Sequence, residues 1–117
     1  MKTNNVLKAG FTLVEIMIVV AIIAMLAAIA IPNFVKARGV SQKSACIANL
    51  KQIEGAKANW AMEMKKANTD IPVDTDLFGT TLYIRIAPTC PGNGTYSLTQ
   101  VDAHPLCSLG SSDGHTL

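Results

Sequence analysis

Aromatic residues are scarce in this sequence, 5% of 117 with a single Trp, which limits any soluble portion to a modest core. Charge is scarce as well, at 15%. The formal net charge of +2 traces to Lys2 and Lys8, and the chain beyond them is balanced. No basic stripe exists of the kind that gathers several phosphate contacts, so electrostatic capture of nucleic acid is not expected. Lys36, Arg38 and Lys43 cluster after an apolar run and read as a patch facing lipid headgroups. A Ser/His/Asp arrangement, a glycine-rich phosphate loop opening a helix and a pair of buried carboxylates are all missing. Nothing in the sequence supports an enzyme.

The most telling absence lies between Ile16 and Ile31, where there is no polar side chain at all. With "FTLVE" in front, residues 11–31 are about long enough to span a hydrocarbon core as a helix, which takes ~20 residues at about 1.5 Å each. Soluble helices are rarely apolar on every face, so a membrane or a lipid-like protein core is implied. One carboxylate, Glu15, sits inside this run. At membrane depth a carboxylate costs on the order of 2.5 to 3.5 kcal/mol, and it therefore needs a compensating partner.

The helical pattern changes after Pro32 without stopping. Cys46, Leu50, Ile53, Trp60 and Met64 recur at three- and four-residue steps, with Ile47 and Ala61 widening the stripe and Lys57 its one polar occupant. Lys43, Lys51, Asn59, Glu63 and Lys66 hold the opposite face. The spacing predicts one helix from about Phe11 to Ala67, closed by "NTDIPVDTD". Pro32 removes a backbone hydrogen bond and clashes with the preceding turn, at a cost of about 3 kcal/mol unless a bend is wanted. It marks an expected kink, and Gly39 and Gly55 soften the same rod.

Past residue 78 the residues favour strands. "TLYIRI" (81–86) and "TYSLTQV" (95–101) read as two of them, "PGNG" (91–94) as the hairpin turn between, and 104–108 as a short third. The expected fold is α+β: a long N-terminal helix, half hydrophobic and half amphipathic, on a small antiparallel sheet. Leu50, Ile53, Trp60 and Met64 would face Tyr83, Ile84, Ile86, Tyr96 and Leu98. The divisions are a leader at 1–10, an apolar helix at 11–31, its amphipathic continuation at 32–68 and a small β head at 69–117.

Three cysteines leave one over. Cys90 and Cys107 bracket a turn-rich stretch and are the natural disulfide for a small domain in an oxidising compartment, worth about 3 kcal/mol in the loop-entropy model. Cys46 then reads as a free thiol and a small apolar helix residue, with no His or acid near it in sequence. Cys90, His104, Cys107 and His115 could in principle ligate zinc, but no pair has structural-zinc spacing. A disulfide and two surface histidines explain them more simply, and no cofactor is expected.

The series of basic leader, Gly10, "FTLVE", long apolar run and Pro32 resembles the processing site of type IV pilins and of type II secretion pseudopilins. The resemblance implies a pilin-like lollipop and a filament subunit. A membrane-embedded prepilin peptidase would cut after Gly10 and methylate the new amine of Phe11. The Glu15 carboxylate of an incoming subunit would then pair with the Phe11 amine of one already assembled. The implied partners are further copies of the chain, the peptidase, an inner-membrane assembly platform and, before assembly, the lipid bilayer. The implied site is the bacterial inner membrane, leader in the cytoplasm and head in the periplasm, and afterwards a filament. Major pseudopilins also carry Ca²⁺ in the C-terminal region. Asp74, Asp76, Asp102 and Asp113 offer oxygen here, but the family's ligands do not align onto them, so no site is carried over.

Three other readings compete. "AAIAIPN" holds a small-x-small pattern that a signal peptidase could accept, but Glu15 and the length of the apolar run argue against it. A plain single-pass anchor leaves Glu15 unexplained. A tip-located binding module for DNA or secreted cargo would need a distinctive surface on 69–117, where turn chemistry is plain.

Overall fold

The computed structural model describes residues 8–117; the first seven residues of the expected leader lie outside them. The chain divides into two compact units, one ending at Ala37 and the other running from Arg38 to Leu117. Helix α1, Leu13–Glu63, belongs to both and continues through Pro32, Gly39 and Gly55.

In the first unit α1 is long and apolar enough to cross a membrane, and none of that window is buried within the chain. Every large apolar side chain from Phe11 to Ile31 is at least 50% exposed. The helix begins two residues later than expected because Thr12 caps it. The Thr12 hydroxyl accepts from the Glu15 amide at 3.2 Å, and the Glu15 carboxylate accepts from the Thr12 amide at 2.8 Å. This reciprocal pair is a capping box, which satisfies two amide donors that a helix start otherwise leaves open.

In the second unit α1 buries Cys46, Leu50, Ile53, Lys57 and Trp60, as the periodicity predicts, and Ala56 with them. The helix ends before Ala67. Lys65 turns into the left-handed region at φ 51°, and the Lys66 amide returns to the Ala61 carbonyl at 2.9 Å, a Schellman-type closure. Met64 therefore falls outside the helical stripe and is 57% exposed, contrary to expectation.

The remaining elements are short: α2 (Asp74–Leu77), β1 (Tyr96–Ser97), β2 (Leu106–Cys107) and α3 (Gly110–Asp113). The strands pair antiparallel, with Tyr96 opposite Cys107 and Ser97 opposite Leu106. The α+β class stands, but the strands are rearranged. Residues 81–86 form no strand and contribute only a parallel bridge from Ile84 to Phe78, because Gly79 to Leu82 closes a tight loop that turns the chain away from a partner edge. Ile84 enters the core while Ile86 is 78% exposed. The partner of β1 is the third segment, 104–108, and the hairpin loop is 98–105, so "PGNG" is not its turn.

One core cluster gathers Ile53, Ala56, Trp60, Leu77 and Ile84, with Phe78, Tyr83, Tyr96, Leu98 and Val101 packed around it. A second gathers Cys46, Leu50, Cys90 and Cys107 against Tyr96 and Leu109. Tyr96 belongs to both, and Tyr83 donates from its hydroxyl to the Glu63 carboxylate.

Lys57 explains the hairpin loop. Its side chain is fully buried, and its ammonium donates to the Gln100 carbonyl at 2.8 Å, the Ala103 carbonyl at 2.6 Å and the Thr99 hydroxyl at 3.0 Å, with the Thr99 carbonyl at 3.4 Å. Burial pushes Lys57 below the ordinary lysine range, and the carboxylates of Glu54 and Asp102 partly offset this. The polar residue in the stripe is thus the cation around which 99–103 folds. Lys57→Met keeps the bulk but strands these carbonyls, and each buried group left without a partner costs about 1–3 kcal/mol. The expected loss is on the order of 3 kcal/mol in denaturant unfolding of the solubilised full-length chain, read by Trp60 fluorescence. Ile84→Ala should cost about 2–5 kcal/mol by leaving a cavity, whereas Ile86→Ala should be nearly silent.

Candidate functional site

Two constellations stand out, one in each unit. The first is the start of α1. Gly10, Phe11 and Glu15 are all exposed, and an added Cβ at Gly10 would meet nothing within 4 Å, so the Gly10–Phe11 bond is open to approach. In the uncut chain the nitrogen of Phe11 is a peptide amide, and the Glu15 carboxylate is held instead by the Thr12 amide. An anion in the first turn is also favoured by the helix dipole. The T-x-x-E spacing that signals this cap is present in "FTLVE".

The second constellation was not foreseen. Cys46 from α1, Cys90 from the turn before β1, Cys107 at the end of β2 and His115 after α3 present their sulfurs and a ring nitrogen within 4.8 Å of one another, all four residues buried. Cys46 is therefore no isolated thiol: the fold brings three distant segments to it. His115, expected on the surface, is only 4% exposed. His104, the other expected candidate, lies elsewhere and pairs with Glu54 at 2.5 Å.

The expected Cys90–Cys107 disulfide is not formed in this structure: the two residues are unbridged, with sulfurs 3.7 Å apart, against about 2.05 Å for a bonded pair. The Cys90 sulfur also meets His115 Nδ1 at 3.5 Å. The Tyr96 hydroxyl donates to the Cys46 sulfur at 3.5 Å and is itself held by Asn49 Nδ2 at 3.0 Å.

The "PGNG" residues serve this cluster. Asn93 takes the left-handed φ of 66°, and its amide donates to the Cys90 carbonyl at 3.0 Å, which turns the Gly92 and Gly94 amides onto the Cys90 sulfur. A Cβ at Gly94 would lie 2.8 Å from the Cys107 sulfur, and one at Gly92 3.2 Å from the His115 ring. Only glycine allows so close an approach. Burial pushes the Cys46 thiol up to about 12. For Cys90 burial also opposes the thiolate, but the two glycine amides, His115 and Cys46 outweigh it and draw the thiol down to about 6. Of the acids that offer oxygen for Ca²⁺, Asp76 accepts from the Val73 amide through one carboxylate oxygen at 3.0 Å.

Known proteins bear on the first constellation. A family model described as the prokaryotic N-terminal methylation motif matches residues 7–31, the stretch that holds Gly10, Phe11 and Glu15. The chain is 54% identical over 54 residues to the type IV major pilin protein PilA of Myxococcus xanthus, across 46% of this chain and 24% of that protein. Over 115 residues it is 24% identical to the type II secretion system core protein G of Klebsiella michiganensis, across 88% of this chain and 81% of that one. No solved structure matches significantly. The likeness to the type IV wide pilus major component PilA4 of Thermus thermophilus, 31% identity over 108 residues, runs through 92% of this chain and 76% of that protein. With the long helix, its capped and exposed start and the small antiparallel sheet, this places the chain in the type IV pilin family, to which the type II secretion pseudopilins also belong.

Proposed function

We propose that the chain is a structural subunit of a type IV pilus or type II secretion pseudopilus filament. It is made as an inner-membrane precursor with residues 1–10 in the cytoplasm and the second unit outside. A prepilin peptidase cuts it after Gly10 and methylates the amine of Phe11. The observation that carries this reading is the unburied apolar half of α1 with one capped carboxylate near its start. Two relatives named as major pilus components support a main structural role.

Magnitudes assign the parts. Covering the apolar side chains of 11–31 is worth about 1.5–3 kcal/mol for each one fully buried. The sum far exceeds the cost of about 2.5–3.5 kcal/mol for one carboxylate at membrane depth. Glu15 therefore does not prevent insertion. The Thr12 cap recovers about 0.5–2 kcal/mol of that cost and leaves a remainder that a cation can remove. Cleavage at Gly10 creates that cation. In a filament the Phe11 amine of an assembled subunit meets the Glu15 carboxylate of the next, so correct stagger relieves the residual cost and incorrect stagger does not. Lateral burial of the apolar helices supplies the cohesion, and Pro32, without an amide to donate, lets the helix bend or unwind as packing requires.

Capping and charge pairing can be separated by experiment. Glu15→Gln retains the capping box, which Gln also forms, but removes the charge. Filament yield should fall at least tenfold for this variant and equally for Glu15→Val, with membrane insertion retained. Filaments from Glu15→Gln at undiminished yield would show that only the cap matters. Intact-mass analysis of the membrane-extracted protein should show a chain starting at Phe11 with one added methyl group. A start after Ala30 would instead indicate signal-peptidase cleavage, and an intact leader in peptidase-containing cells a plain anchor.

A further inference from the structure

We propose that Cys46, Cys90, Cys107 and His115 form a structural metal site that takes a divalent zinc-like ion in tetrahedral S₃N coordination. The spacing of the ligand atoms carries this. With metal–sulfur bonds of about 2.3 Å and metal–nitrogen bonds of about 2.05 Å, a tetrahedral centre sets its ligands about 3.8 Å apart sulfur to sulfur and about 3.6 Å apart sulfur to nitrogen. The Cys90–Cys107 edge is 3.7 Å and the Cys90–His115 edge 3.5 Å. No pair exceeds 4.8 Å, so closing round an ion requires a movement of about 1 Å at most.

The surroundings fit a thiolate centre. Amides of Gly92 and Gly94 aim at the Cys90 sulfur, and the Tyr96 hydroxyl, fixed by Asn49, donates to the Cys46 sulfur. Such donors stabilise and orient metal-bound ligands. With all three cysteines as thiolates and a neutral imidazole, S₃N around a dication carries one net negative charge. Lys43 Nζ lies 2.9 Å from where a Cβ on Gly114, the residue before His115, would stand. Four protein ligands with no open position make the site structural, and soft sulfur donors in this geometry select zinc over magnesium or calcium.

A Cys90–Cys107 disulfide is the competing chemistry. It would use two of the four groups and leave Cys46 and His115 converging on the cluster without a role, whereas a metal uses all four. Its ligands come from α1, the turn before β1, the end of β2 and the tail after α3. One ion would thus tie the whole C-terminal segment to the helix in a unit whose sheet has two residues per strand.

The full-length chain, solubilised in detergent and purified anaerobically without chelator, should contain one zinc per chain by elemental analysis. After chelation, added Co²⁺ should give the intense visible bands of tetrahedral cobalt–thiolate coordination. Cys46→Ser and His115→Ala should each weaken zinc binding at least a hundredfold, while His104→Ala should leave it unchanged. Metal-free protein that gives no cobalt bands when reduced, or whose mass is lower by two hydrogens with Cys90 joined to Cys107, would overturn the proposal. So would zinc binding indifferent to Cys46→Ser. Should the variants fail to fold, the stoichiometry and cobalt spectrum of the unaltered chain decide.

Discussion

The first half of α1 exposes apolar side chains in every direction and buries none of its membrane-length window within the chain. A helix of this kind cannot remain in water, and its surroundings must be lipid or other helices like it. Both environments are apolar, so transfer between them is governed by the few polar groups present. The Thr12 cap and the Glu15 carboxylate matter for that reason. In the assembly proposed above, a small electrostatic term sets the stagger because the large hydrophobic term is nearly the same in either environment.

The second unit meets a different demand. It has few regular backbone pairings to order the 54 residues after Glu63. Its loops are held instead by side chains reaching from α1 to backbone oxygens. Lys57 gathers the hairpin loop, Asn49 donates to the Thr89 carbonyl at 3.1 Å, and Gln42 to the Pro91 carbonyl at 3.3 Å. The thiol and imidazole cluster continues this line of ties. α1 is therefore both the apolar element of the filament and the spine on which the following segment is ordered.

Local patterns were the legible part of the fold. The apolar run, the stripe of Leu50, Ile53 and Trp60, and the position of Glu15 relative to Gly10 are all set by neighbours a few residues apart, and each appears where the periodicity places it. Strand pairing was less legible. "TLYIRI" has strand-forming composition, yet a strand needs an edge to pair with, and the chain supplies none there. Met64 left the stripe because Lys65 reversed the backbone one residue later, a termination that does not require glycine or proline.

By itself the sequence determined the membrane-length helix and its buried face, because helical periodicity acts through contacts within one turn. Only the tertiary structure decided that Cys46 and His115, 69 positions apart, meet at Cys90 and Cys107, and that a lysine in the apolar stripe belongs inside the protein. Both depend on how 64–117 folds back upon α1. That path is chosen by the sum of many distant contacts, and the spacing of ligands along the chain carries no record of it.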